Sequence, residues 1–412
     1  MHSQGDHVDV VQRDRKVCPE YINCMEIYIS NQCNMSCPSC CVDLASDKPS
    51  EIVRLTWDQL RNAIDLFMDP REVPYSAQKY LVFAGGETFL DYPNLIKAAR
   101  HCQKFPIKPR LFMYTNGSFV KKEWVEELTS LNTMIIFSLD GYKDENDLYR
   151  KYRKQPEISA WETVMKNIRT LPKEGCGTNT VLRPGNLAHL IDLFEIFAQM
   201  GFQTVDFWPD YFSEWTKSDI EQLDDAMSKF ADYYVGRTLR DGHIPFHTPM
   251  IHHSLINAGA LKRREVWWKD CFRLILAADG QFYDCEGVMR FRPEKKNGHS
   301  VIGQALEKTV DWEKRQDYMD EADEYLASVG AEEEWQHVCP RLYYKIGERK
   351  GTDPTPTSME LHDVSNVFLK GLLKIAERLK DHPSFDKEYV QQLPVPTPVD
   401  EILPAAFTIS AS

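Results

Sequence analysis

Short apolar runs mark the first half of the chain: MEIYIS at 25–30, KYLVFA at 79–84, RLFMY at 110–114, TMIIFS at 133–138, TNTVL at 178–182 and QTVDFW at 203–208. Each has strand length and holds β-branched and aromatic residues at successive positions, the pattern of a strand buried on both faces. Segments with helical spacing separate them. LTWDQLRNAIDLFM at 55–68 carries Thr56 and Gln59, and SAWETVMKNIRTL at 159–171 carries Ser159 and Glu162, pairs spaced as a capping box at helix entry. NLAHLIDLFEIFAQMG follows Pro184 and Gly185 and stops at Gly201, a good residue for a helix C-terminus; YPNLIKAARHC and VKKEWVEELTSL complete the set.

Strands alternating with helices predict a parallel sheet of βαβ units. Six such units in about 185 residues fall short of the eight in about 250 that close a TIM barrel. The expected fold class is therefore α/β, with an open, partial (βα)6 barrel. In such folds chemistry gathers at the C-terminal ends of the strands. Those ends read NQCNMSCPSCC after the first strand, then GGE at 85–87, TNG at 115–117, SLDG at 138–141 and RPGN at 183–186.

After about residue 210 the pattern changes. YFSEWTKSDIEQLDDAMSKFADYYVGRTL reads as an acidic, aromatic-rich helix, and HIPFHTPMIHHSL as a loop. CFRLILAADGQFYDCEG at 271–287 reads as a β-hairpin turning at Asp279 and Gly280. A last helix is expected near 362–381, before a proline-containing tail. The expected divisions are an N-terminal arm (1–23), a barrel (24–215), a helical and loop linker (216–265), a hairpin domain (266–345) and a C-terminal helix and tail (346–412).

Composition narrows the setting. With 412 residues, 42% hydrophobic and 27% charged, the chain is globular and buries a sizeable core. A net charge of -13 disfavours general nucleic-acid binding. No apolar run is long enough for a transmembrane helix, and MHSQGDHVDVVQRDRK lacks a signal peptide's apolar centre, so a cytoplasmic location without membrane association is expected. There the eleven cysteines stay reduced, and a cluster of them points to metal or catalysis.

Cys33, Cys37 and Cys40 have the spacing C-x3-C-x2-C, and Cys41 abuts the third. Three thiolates hold three corners of a 4Fe–4S cluster and leave the fourth iron without a protein ligand. Structural zinc wants four ligands. Cys41 is poorly placed as the fourth, because adjacent residues rarely point at one metal; zinc stays open on spacing alone.

This cysteine motif after strand one, GGE after strand two and SLDG after strand four resemble the radical S-adenosylmethionine (SAM) superfamily, over about residues 24–215. The resemblance implies a 4Fe–4S cluster on Cys33, Cys37 and Cys40 whose open iron takes the amino and carboxylate groups of SAM. One electron, from a donor such as flavodoxin or ferredoxin, then cleaves SAM to methionine and a 5′-deoxyadenosyl radical that abstracts hydrogen from substrate. Gly85 and Gly86 would let backbone approach the methionine amino group, with Glu87 an acceptor for it. Ser138 and Asp140 would bond the ribose, and Arg150, with Arg153 competing, would meet the SAM carboxylate. Ser39 departs from the large apolar residue usual before the third cysteine.

The second half resembles the auxiliary-cluster region called twitch or SPASM: Cys271, then Gly280 and Cys285 in the spacing G-x4-C, with Cys339 as a third ligand. The dense cysteine run of full SPASM domains is absent from the sequence, so a single second, auxiliary 4Fe–4S cluster is expected. Its fourth ligand is open among Cys18, Cys24, His337 and substrate. By analogy with sulfatase-maturing enzymes, Glu286 is a candidate base. The histidines at 243, 247, 252 and 253 have the irregular spacing of an ordinary loop.

The expected function is that of a radical SAM oxidoreductase acting oxidatively on a peptide. Only about 23 residues precede strand one, so no fused leader-binding domain is expected. The alternatives are dehydrogenation of a small metabolite such as a sugar or aminocyclitol, epimerisation with Cys176, Cys102 or Cys41 returning hydrogen, and a non-catalytic iron–sulfur or zinc protein.

Overall fold

A computed structural model describes residues 18–38, 40, 42, 52–75, 78–210, 213–262, 271–284, 301–328 and 359–391. The six expected strands form: β1 (Cys24–Tyr28), β2 (Tyr80–Ala84), β3 (Arg110–Thr115), β4 (Thr133–Ser138), β5 (Cys176–Leu182) and β6 (Thr204–Pro209). They pair in parallel, each with its neighbour in sequence. The crossovers carry α1 (Trp57–Met68), α2 (Tyr92–Cys102), α3 (Lys122–Ser130), α4 (Lys143–Tyr149), α5 (Ala160–Thr170) and α6 (Leu190–Gln199). Thr56 and Gln59 make the reciprocal capping box that their spacing predicts, while Ser159 accepts from the Glu162 amide alone.

Alternation along the strands sets the two faces of this sheet. Ile27, Phe83, Met113, Phe137, Val205 and Phe207 are fully buried in the core shared with the helices. Phe207, for example, meets Phe194 of α6 at 4.8 Å between ring centres. Because side chains alternate with period two, Glu26, Tyr114, Ser138, Asn179 and Asp206 lie on the opposite, inner face. A one-residue slip of any strand would exchange the two sets, so burial of the outer face fixes the register.

The hairpin forms too, as β7 (Arg273–Leu276) and β8 (Gln281–Tyr283), turning at Gly280 with φ 83°. Its placement was not legible: β7 pairs in parallel with β1, and β9 (Val301–Gln304) and β10 (Thr309–Val310) continue outward from β8. One ten-stranded sheet results, in the order β10-β9-β8-β7-β1-β2-β3-β4-β5-β6, which does not close on itself among the described residues. The expected linker helix is α7 (Lys217–Asp241), capped by Thr216 and ended by Gly242.

The histidine-rich stretch differs from the expected loop. From Pro249 it is helical, as α8 (Pro249–Lys262). A proline at the first helical position costs nothing there, since its missing N–H has no partner in the helix. α9 (Trp312–Ser328) follows β10, and α10 (Met359–Leu379) packs along α7. No helix of the described residues is long and apolar enough to cross a membrane.

Candidate active site at the barrel mouth

The chain leaves β1 and returns to it on a loop closed at its base. Ser30 bridges Arg54, the Asn31 amide donates to the Val53 carbonyl at 3.1 Å, and the Val53 amide donates to Asn31 Oδ1 at 2.9 Å. The far part of the loop is tied to the segment after α4. Ser36 N–H donates to the Lys151 carbonyl at 2.8 Å and Arg153 N–H to the Asn34 carbonyl at 3.0 Å, flanking a bridge from Met35 to Tyr152. The cysteine loop therefore crosses the C-terminal ends of the parallel strands.

On this loop Cys33 and Cys37 are partly buried and Cys40 is exposed. Cys40 N–H donates to the Cys37 carbonyl at 3.1 Å, a turn that keeps those two residues adjacent. Burial pushes the Cys33 thiol up to about 12, although the Met35 amide donates to its sulfur at 3.3 Å and Asn116 Nδ2 at 3.8 Å. Burial also raises Cys37, against the pull of the Arg150 guanidinium. Among the described residues no three His, Cys, Asp or Glu side chains converge at the spacing of ligands to a single ion. The donor set nonetheless fits an iron–sulfur cluster: three thiols on one loop, with N–H donors at one sulfur and a guanidinium beside another, offer what a thiolate-bound anionic centre requires.

Gly85 and Gly86 hold the loop down. Gly86 N–H donates to the Ser30 carbonyl at 2.7 Å and Glu87 N–H to the Gln32 carbonyl at 2.8 Å. A Cβ on Gly86 would stand 2.0 Å from the Gln32 oxygen, and one on Gly85 2.5 Å from the Ser30 oxygen; Gly85 also has φ 133°. The two glycines thus permit backbone to meet backbone. Glu87 is buried and its carboxylate is engaged within the protein: Oε1 accepts from Thr115 Oγ1 at 2.7 Å and from the Phe89 amide at 3.1 Å, Oε2 from the Asn116 amide at 2.7 Å. Burial raises its pKa, partly offset by these bonds. Asn116 relays the link onward, its Nδ2 donating to Asn34 Oδ1 at 2.9 Å.

Across the mouth Asp140 is the centre of a second network. Its Oδ1 accepts from Arg150 at 2.9 Å and from the Val181 amide at 3.1 Å, and its Oδ2 from Arg183 at 2.9 Å. Arg183 also reaches Asp210 at 2.9 Å and lies over the Tyr149 ring. Burial opposes the Asp140 charge, but the two guanidiniums outweigh it and hold its carboxyl below the usual range. The Arg150 Nε is buried without a hydrogen-bond partner, so this arginine keeps a free donor while Asp140 fixes its other end. Ser138 lies one turn of the pleat below, partly exposed on the inner face. The sequence reading took in Asp140 and Arg150 but not Asn116, Arg183 or Asp210. TNG and RPGN at strand ends were the available signal for the first two.

Cys271 begins β7's approach, and its carbonyl accepts from the buried Arg315 at 2.8 Å. Cys285, Glu286 and Cys339, like Ser39 and Cys41, lie outside the described residues. Cys102 and Cys176 are fully buried in the core shared with the helices, away from the inner face. His247 and His253 are each lowered to about 4 by burial, and His247 stacks on Tyr389.

The described part of the chain is thus an open parallel barrel with three cysteines on the loop after its first strand. Residues 27–197 match the family model described as the Radical SAM superfamily, so this part of the chain is a radical SAM domain. The serine-type anaerobic sulfatase-maturating enzyme of Bacteroides thetaiotaomicron is 25% identical over 186 residues, 43% of each chain, so the match spans less than half of that relative. Among solved structures, native anSMEcpe with bound AdoMet superposes with a TM-score of 0.60 at 15% identity, covering 87% of this chain and 97% of that one. Streptococcus suis SuiB follows with a TM-score of 0.53 at 17% identity, covering 74% and 68%. These likenesses establish the partial-barrel fold.

Proposed function

We propose that the chain binds a 4Fe–4S cluster on Cys33, Cys37 and Cys40 and oxidises a peptide side chain with the radical generated there. The observation that carries this is the cysteine loop lying at the C-terminal ends of the strands, fastened by the Gly85–Glu87 turn on one side and the 151–153 segment on the other. Held by Cys33, Cys37 and Cys40, such a cluster would supply the electron for reductive cleavage of SAM.

The chain's own residues then have separable tasks. Asn116 and the Met35 amide support the Cys33 sulfur. Arg150, anchored by Asp140, offers its free Nε to a carboxylate at the mouth. Ser138, on the inner face, would bond a ribose. Glu87 positions the turn and the TNG segment rather than presenting its own oxygens, which are already engaged. An auxiliary cluster would draw on Cys271, with Cys285 and Cys339, and would take up the electron left after hydrogen abstraction. Glu286 is the proposed acid–base group.

Similarity to a sulfatase-maturating enzyme supports a peptide substrate. The test is anaerobic reconstitution with iron and sulfide, then SAM and dithionite. Formation of 5′-deoxyadenosine that vanishes in Cys33→Ala, Cys37→Ala and Cys40→Ala supports the reading. Equal formation in the variants contradicts it. About eight irons per chain, falling to about four in Cys271→Ala, supports the auxiliary cluster.

A further inference from the structure

The first strand of the barrel and the first strand of the hairpin lie side by side. β7 pairs in parallel with β1, with Cys24 opposite Arg273 and Glu26 opposite Ile275. The pairing runs on past the start of both strands, because the Asn23 and Cys24 amides donate to the Phe272 carbonyl at 3.2 and 3.1 Å. Met25 and Ile27 belong to the core shared with the helices, and so do Leu274 and Leu276. Cys24, Glu26 and Arg273 alternate with them and share the inner face, and alternation through Phe272 puts Cys271 there too. Glu26 meets Arg273, two residues before its own register partner, at 3.0 Å. Cys24 and Cys271 stand in that same diagonal relation, one step nearer the N-terminal ends of the strands.

Two observations set this pair apart from buried structural thiols. Strand spacing and rise put their Cα atoms about 8 Å apart, beyond the reach of a disulfide. A cluster in which each thiolate takes its own iron spans such a gap. The second observation is Arg315 of α9. It is 1% exposed, and its Nη2 donates to the Cys271 carbonyl at 2.8 Å and to the Arg273 carbonyl at 3.1 Å. Its Nε and Nη1 are buried without a hydrogen-bond partner. A buried charge is ordinarily paired, and among the described residues no carboxylate pairs with this one. A cation left uncompensated beside Cys271 suits an anionic centre held there by thiolates. Cys18 also lies in the field of Arg315, but it belongs to the helix-side core and its thiol donates to the Pro19 carbonyl at 3.6 Å.

We propose that Cys24 is a ligand of the auxiliary cluster, beside Cys271, and that Arg315 is the counter-charge of that cluster. The inference rests on the auxiliary-cluster reading above and takes one of the ligands from the barrel itself. β1 then carries a cluster at each end, with Cys24 at its start and the Cys33–Cys40 loop beyond its finish. The auxiliary cluster ties β1 to β7, so the hairpin is fixed to the barrel by metal as well as by the sheet. Arg315 has an electronic task in addition. Reduction adds negative charge to a cluster, so a neighbouring cation favours the reduced form and raises the potential.

The test uses the reconstituted full chain and reads iron per chain, the electron paramagnetic resonance (EPR) spectrum of the reduced protein and the midpoint potential of each cluster. The unsubstituted chain should hold about eight irons, about four in each cluster. Cys24→Ala and Cys24→Val should both lose between about one and about four of them, while the signal of the loop cluster stays. The valine variant fills the space of the thiol, so a packing role for Cys24 would leave its iron content intact. Cys102→Ala, in the helix-side core, should lose none. Arg315→Gln should keep its iron and shift the potential of the auxiliary cluster downward, and Arg315→Lys should shift it less. Full iron content with an unchanged spectrum in both Cys24 variants overturns this inference alone. Loss of the loop-cluster signal in both overturns it too, since that marks a structural role for Cys24. An unchanged potential in Arg315→Gln removes the counter-charge. About four irons in the unsubstituted chain overturns the auxiliary-cluster reading and this inference together.

Discussion

Asp140 and Arg150 are joined at 2.9 Å in the barrel mouth, and the other oxygen of the same carboxylate holds Arg183 at 2.9 Å. Asp140 is 2% exposed at its side chain, so one buried negative charge serves two guanidiniums. Asp140→Asn keeps the shape and removes the charge. Leaving a buried ion uncompensated typically costs 3–5 kcal/mol, so urea denaturation should show a loss of about that size. Because the folded-state carboxyl is held below its usual pKa, its stabilisation is complete above the unfolded value and is lost as pH falls through the folded one. The gap between the two proteins should therefore narrow in acid. A gap constant with pH would mean that the carboxylate charge is not what matters.

The glycine turn predicts a contrast between two alanine substitutions. Gly86→Ala places a methyl 2.0 Å from the Gln32 carbonyl oxygen, at the root of the cysteine loop. Gly236→Ala, on α7, meets nothing within 4 Å. The first should lower iron bound per chain after reconstitution; the second should leave it unchanged and stabilise the helix by up to about 1 kcal/mol. Equal iron content in both would contradict the role of Gly86 in seating the loop.

Asn116 donates to both Cys33 Sγ and Asn34. Asn116→Ala removes an N–H donor from a proposed cluster sulfur without removing a ligand. Outer-shell partners of this kind are worth roughly 10–100-fold in metal affinity or activity. Cluster absorbance should therefore decay faster under chelator in the variant, and the cluster's reduction potential should shift downward. A potential equal to that of the unsubstituted chain would remove Asn116 from the account.

Asp206 gives a prediction of opposite sign to Asp140. Its folded pKa is raised to about 7, so the folded state holds its proton longer than the unfolded chain does. Stability then declines as pH rises from about 4 to about 7 and levels off beyond. Asp206→Asn carries no such charge, so it should match the unsubstituted chain near pH 4 and exceed it at pH 8. The excess should be on the order of 2–4 kcal/mol at most, given 1.36 kcal/mol per pKa unit. Thermal melts at the two pH values read the difference. A variant equally or less stable at pH 8 would show that water or an unseen partner already solvates the carboxylate.

Legibility followed the range of the interactions involved. The strands could be read because their apolar runs are strand-length and bounded by turn residues, and the runs at 79–84 and 133–138 overlap β2 and β4 almost residue for residue. Caps were legible because Thr56 and Gln59 bond within one turn. The helix at Pro249–Lys262 was not, since its apolar residues form no stripe and its histidines and proline resemble a loop. The short, polar α4 gave no periodic signal either. For the site, residue types at strand ends pointed to the rim at which the cysteine loop lies, but their partners could not be seen. Asp140 read as a ribose acceptor because SLDG stands alone in sequence. That its oxygens are engaged by Arg150 and Arg183 depends on β5 lying beside β4. That Cys24 stands beside Cys271 likewise depends on β7 pairing with β1.

The most direct measurement is 5′-deoxyadenosine formed from SAM by the anaerobically reconstituted chain under dithionite. The account predicts formation by the unsubstituted chain, none above background in Cys33→Ala, Cys37→Ala or Cys40→Ala, and retention in Cys102→Ala, whose thiol is buried in the core. Formation that survives loss of any of the three loop cysteines, or none at all from a fully loaded chain, would contradict it.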